Sequence, residues 1–97
     1  MARPRRNVHP DANQPEIVAD LERLRFLVLN VSRWLPIPDL FVWGECIDGR
    51  TFWTAWEIKT EAGKLTKFQQ WFMTRWPGAV QEARTTEDIL RAYGRAT

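Results

Sequence analysis

The sequence predicts an α/β domain, a mixed sheet of about four strands flanked by helices, in the order helix, strand, strand, strand, helix, strand, helix. Three observations predict it. Asn13-Gln14-Pro15-Glu16 opens a helix, and Ile17, Leu21, Leu24 and Val28 follow at helical spacing. Two runs rich in aromatic and β-branched residues, "PIPDLFVWGECI" and "RTFWTAWEIK", flank Asp48-Gly49, a hairpin turn signal. Leu65, Phe68 and Phe72 then recur at helical spacing until Pro77-Gly78 stops them.

Each element has its own reason. Residues 1–10, "MARPRRNVHP", carry two prolines, three arginines and little apolar, and so predict a flexible basic arm that leaves His9 without a catalytic role. The first helix begins with Asn13 as cap, proline in its first turn and Glu16 three residues after the cap, the pattern of a capping box. It gives way to a first strand somewhere in the apolar run "FLVLNV", Phe26 to Val31. The two runs around Asp48-Gly49 read as antiparallel strands. Thr66, three residues before Gln69, caps the second helix. "AVQEA" is a short fourth strand, and Thr85 to Tyr93 forms a last helix closed by Gly94.

The 97 residues suit one domain, here residues 11–97. At this length about 60 to 70% of the unfolded surface can be buried, so a homodimer is a plausible way to gain stability. Six Trp and five Phe are a heavy aromatic load, with Trp71 and Trp76 expected in the core or an interface rather than stacked on bases. The 14 Lys and Arg against 12 Asp and Glu give a net charge of only +2, a weak argument for nucleic acid by itself. Cys46 is the only cysteine, which excludes an intrachain disulfide and a cysteine-rich zinc site. No stretch has the length of a transmembrane span or the pattern of a signal peptide, so a cytoplasmic location and no membrane partner are expected.

The candidate chemistry lies at one strand end. Glu57 and Lys59, in "WEIK", share a face because side chains alternate along a strand, and the hairpin folds Asp39 back toward them. A two-residue turn at Asp48-Gly49 would pair Asp39 with Ile58, on the wrong side; an odd-length loop such as 48–50 would pair it with Lys59. Two carboxylates at one strand end repel each other, and a hard divalent cation, Mg²⁺ or Mn²⁺, relieves that repulsion. A lysine beside them would orient or deprotonate a water, or stabilise charge on a phosphate. Singly, each signal also has an ordinary reading. Glu57 and Lys59 suit an exposed cross-strand charge set, Asp39 a turn, and Glu16 and Gln69 their capping boxes.

Taken together in this order, "PDLFVW", "WEIK" and "GKLTKFQQWF" resemble the PD-(D/E)XK nuclease superfamily, and within it the small stand-alone VRR-NUC-type nucleases of bacteria and their phages. The likeness runs from Asp11 to about Gly94 and includes "NQPEIVADL" and "PGAVQEARTTEDIL". It implies a restriction-endonuclease-like core and a divalent-metal-dependent endonuclease that hydrolyses DNA phosphodiester bonds, on branched DNA as a homodimer. In that reading Asp39 and Glu57 hold Mg²⁺, or Mn²⁺ in its place, with the carbonyl of Ile58, and Lys59 positions the attacking water and the scissile phosphate. Glu16 matches the family's further acidic residue, linked to the metal through water, and Gln69 the glutamine that supports the site. Lys64 and Lys67 are candidate phosphate contacts. Family members often have glycine before the Pro-Asp where this chain has Ile37, which puts substrate shape in question. The alternative is a non-catalytic DNA-binding or assembly module that keeps the nuclease fold.

Overall fold

A computed structural model describes residues 13–59 and 65–95 of the chain. The basic arm of residues 1–10, the loop from Thr60 to Gly63 and Lys64 lie outside the described residues. The elements are α1 (Gln14–Arg23), β1 (Leu27–Asn30), β2 (Leu40–Glu45), β3 (Thr51–Ile58), α2 (Lys67–Arg75), β4 (Gln81–Ala83) and α3 (Thr86–Ala92), in the predicted order. They build a four-stranded mixed sheet, β1-β2-β3-β4, in which β1, β2 and β3 are antiparallel and β4 runs parallel to β3.

The first helix ends earlier than its apolar spacing suggests, and Val28 belongs to β1 rather than to α1. The chain leaves α1 through Arg25, held in the left-handed region at φ 72°. The Arg25 amide donates to Glu22 O at 3.0 Å and the Phe26 amide to Leu21 O at 3.0 Å, the paired bonds of a Schellman motif. Leu21 and Phe26, the apolar pair that accompanies this motif, both enter the core. The anticipated capping box at Asn13 and Glu16 does not form. Asn13 is itself helical, its side chain makes no cap, and its Nδ2 reaches Arg84 O at 3.4 Å instead. Thr66 and Gln69 do form theirs at the start of α2, and Thr85 and Asp88 form another at α3.

Alternation decides which face of the sheet is buried. Leu40, Val42, Trp56 and Ile58 share the side that packs with Ile17 and Leu21 of α1, Ile89 of α3 and Tyr93, the residue that caps α3. Tyr93 is fully buried, stacked on Phe52 at 4.7 Å and edge-on to Phe26 at 5.0 Å, with its hydroxyl 3.0 Å from the carbonyl of Val42. Burial raises the pKa of this phenol, so it stays a neutral donor. No helix among the described residues is long and apolar enough to cross a membrane.

The α3 cap makes a pH prediction. Burial works to raise the pKa of Asp88, but the amides of Arg84 and Thr85, assisted by Arg91, outweigh it and hold the carboxyl below the ordinary 3.8. A carboxyl whose pKa is lower folded than unfolded stabilises the protein above its unfolded value and loses that contribution as the pH falls through the folded one. Asp88→Ala should therefore lower stability by about 1 kcal/mol at pH 7. Thermal melts of both proteins at falling pH should converge below about pH 3.8; a gap that persists there would assign the loss to something other than the charged cap.

Candidate active site

The hairpin loop sets the register of the site. Glu45 pairs with Thr51, so five residues, Cys46–Arg50, form the loop, with Gly49 at φ 92° and Asp48 accepting from the Arg50 amide at 3.1 Å. Its odd length keeps Asp39 and Glu57 on one side of the sheet. Being two residues longer than Asp48-Gly49-Arg50, it brings Asp39 level with Glu57 and not with Lys59. The ladder closes at Leu40 and Trp56. Beyond it the Asp39 amide donates to Trp56 O at 2.9 Å, and the Asp39 carboxylate accepts from the Ile58 amide at 2.8 Å. Asp39 is thus tied by backbone and side chain to the residues on either side of Glu57.

Both carboxylates are withdrawn from water, Asp39 at 7% exposure and Glu57 at 5%. So is Lys59, at 6%, which continues β3 by donating its amide to Ala83 O at 2.9 Å. Alternation along β3 carries Glu57 and Lys59 away from Trp56 and Ile58, which sit in the core. Burying charged groups of one sign side by side is costly, and exposed cross-strand pairs avoid that cost. The exposed-charge reading of Glu57 and Lys59 therefore does not describe this arrangement. Lys59 forms no ion pair with a described carboxylate, although it follows Glu57 by two residues.

Gln69 joins α2 to this group. Its Nε2 donates to Glu57 Oε2 and, at 3.1 Å, to the carbonyl of Pro36. Its Oε1 accepts from the Thr66 amide at 2.8 Å, so one side chain both completes the capping box and holds a carboxylate. Ile37 is buried, at 6% exposure. Lys67 is the first residue of α2 and is exposed.

Asp39, Glu57, Lys59 and Gln69 are brought together at one end of the sheet, and Glu16 is not brought into hydrogen-bonding contact with them. It lies on the exposed side of α1, in a groove it shares with Asp20, Arg84 and Glu87. The residue of α1 that turns inward is Gln14, 3% exposed, with Nε2 donating to Asn30 Oδ1 at 3.0 Å and Ser32 Oγ at 3.3 Å. Asn30 pairs with Leu40, the neighbour of Asp39. Among the described residues Gln14 Oε1 is buried without a hydrogen-bond partner. The signal that finds it is spacing. Gln14 stands three residues before Ile17 and seven before Leu21, on the buried stripe, whereas Glu16 falls off that stripe.

The donor set suits a hard cation in part. Two carboxylates and a strand-end carbonyl match the one or two protein carboxylates that Mg²⁺ takes, with water and substrate oxygens completing its shell. No three His, Cys, Asp or Glu side chains among the described residues form a metal cage on their own. Compared with protein-family models, curated proteins and solved structures, the chain matches none of them.

Proposed function

We propose that the protein is a divalent-metal-dependent deoxyribonuclease that hydrolyses phosphodiester bonds. The observation that carries this reading is the buried Asp39 and Glu57 carboxylates lying level across β2 and β3, with Lys59 buried two residues on. Simple DNA binding has no use for two carboxylates facing a phosphate. The ordered likeness of "PDLFVW", "WEIK" and "GKLTKFQQWF" to the PD-(D/E)XK superfamily supports the same reading.

Asp39 and Glu57 would hold the cation with the carbonyl of Ile58. Bound there, it supplies Lewis-acid polarisation of the scissile phosphate and of the attacking water. The chain's own residues do the rest. The Ile58 amide fixes one oxygen of Asp39, and Gln69 fixes one oxygen of Glu57, so both carboxylates are oriented before substrate arrives. Lys59 offers its ammonium to charge developing on the phosphate or to the water that attacks it. Lys67, with Lys64, meets the substrate backbone electrostatically, and Glu16 acts only through intervening water.

A cleavage panel tests this: single-stranded, duplex, flapped and four-way-junction DNA, each with Mg²⁺, Mn²⁺ or EDTA, using wild type and Lys59→Ala. Metal-dependent cutting that falls by ~100-fold or more in the variant is the expected result. Binding without turnover on every substrate would favour a non-catalytic module instead.

A further inference from the structure

The loop that leads into Asp39 carries an exposed tryptophan. It is closed on Asp39 itself, because the Val31 amide donates to the Asp39 carbonyl at 2.9 Å. Within it the amides of Trp34 and Leu35 both donate to Val31 O, at 2.9 and 3.0 Å, which holds Arg33 and Trp34 in a fixed turn. Residues 33–36 are exposed, whereas residues 37–40 are buried. The turn therefore stands out from an anchored base.

Trp34 is 71% exposed, more than any other aromatic side chain among the described residues. The other exposed tryptophans each lie against a second ring, Trp53 on Trp43, and Trp71 and Trp76 on each other. Trp34 has no aromatic neighbour among the described residues. What approaches its ring is the Arg33 guanidinium, 5.8 Å from the centroid. Arg33 in turn forms no ion pair among the described residues. The turn thus presents an indole in water with a cation beside it.

We infer that Arg33 and Trp34 form a stacking site for an unpaired base of a DNA strand, Trp34 taking the base and Arg33 the phosphate that accompanies it. An indole stacks on any base, and a guanidinium meets phosphate and strengthens the stack, so the pair supplies both parts of a single-strand site. Its place in the fold suits that task. The carbonyl of Pro36 accepts from Gln69 Nε2 at 3.1 Å, and the same amide nitrogen donates to Glu57. Trp34 is two residues from Pro36, at most ~7 Å of chain, or about two nucleotides of a stacked strand. A base inside a duplex has both faces covered by its neighbours, so the site selects DNA that offers a single-stranded segment beside the bond that is cut. A protein is the poorer occupant. A whole tryptophan side chain is worth at most ~250 Å², and with Leu35 it falls far short of the ~800 Å² each partner of a stable complex commits. In placing the base beside the cut bond this inference rests on the deoxyribonuclease reading, but binding is measured apart from cleavage, so the two fail separately.

Fluorescence anisotropy in EDTA at low salt tests it, with wild type, Trp34→Ala and Trp34→Phe on a labelled single-stranded oligonucleotide, the same strand with abasic positions, and intact duplex. Trp34→Ala should raise the dissociation constant for the single strand by ~10-fold and leave that for duplex within about twofold, while Trp34→Phe keeps most of the affinity. Removing the bases should weaken wild type toward the alanine variant and leave that variant unchanged, a coupling that misfolding would not produce. With Mg²⁺, wild type should cut flapped DNA faster than intact duplex, and Trp34→Ala should lose ~10-fold on the flap alone. Equal binding of the single strand by wild type and Trp34→Ala, an equal loss on single strand and duplex, or no binding of single strand by wild type would overturn the inference. Cutting of the flap undiminished in Trp34→Ala would overturn the place of the base beside the cut bond. The expected binding pattern without turnover on any substrate would uphold the stacking site and overturn the nuclease reading instead.

Discussion

Replacing Glu57 with glutamine is expected to lower metal-dependent DNA cleavage by ~10³-fold or more while leaving the unfolding midpoint unchanged or higher. The two expectations come from the same geometry. Glu57 is buried beside the buried Asp39, and no apolar side chain of similar size would meet that repulsion or that loss of hydration. Glutamine keeps the volume and retains an oxygen for Gln69 to donate to, but cannot share a cation with Asp39. Function and stability should therefore separate, as they do where a strand end is shaped for chemistry rather than for packing. Thermal melts and a cleavage time course on one preparation decide the matter. Full cleavage by the variant would remove Glu57 from the site. A loss of stability above about 2 kcal/mol would make its carboxylate a structural group instead.

The order of elements was legible because the chain is punctuated by residues with one strong local meaning. Asp48-Gly49, Thr66 and Pro77-Gly78 each mark a boundary the structure also shows, and between them the period changes from two to 3.6. The end of α1 was not legible, because its left-handed residue is Arg25 and not the glycine that usually announces such an exit. At α3 the same paired bonds pass through Gly94, at φ 69°, and there glycine gave the ending away.

The site divides in a similar way. Alternation alone places Glu57 and Lys59 on one side of β3. The height of Asp39 against them depends on how many residues the hairpin loop takes, and Cys46 and Arg50 join that loop by closing it through their own backbone bond, Cys46 N to Arg50 O at 2.7 Å. Helical spacing also sorts Gln14 from Glu16, since a side chain two positions from a buried one on a helix points about 200° away. The contact between Gln69 and Glu57 has no such local signal. It joins α2 to β3 across residues 60–64, and only the tertiary arrangement shows that a capping glutamine also reaches a carboxylate.

Gly44→Ala should be among the most destabilising single substitutions in this protein, lowering stability by ~3 kcal/mol or more. Gly44 lies inside β2 with an ordinary strand backbone, so the effect is not conformational. A methyl group there would stand 2.0 Å from Phe26 Cδ2 and 2.1 Å from Cε2, inside the van der Waals surface of a ring. That ring cannot swing aside cheaply. It is 4% exposed, edge-on to Tyr93, overlain by the Arg95 guanidinium at 4.9 Å, and tethered at its backbone by the bonds that close α1. At about 4–8 °C per kcal/mol for a domain of this size, the midpoint should drop by at least ~12 °C. A double-mutant cycle identifies the cause. Phe26→Leu by itself removes ring contacts with Tyr93 and is destabilising, but in that background Gly44→Ala should cost well under half as much, because the obstructing atoms are gone. Additive effects would show that Gly44 is required for a reason other than the close approach of the Phe26 ring to β2.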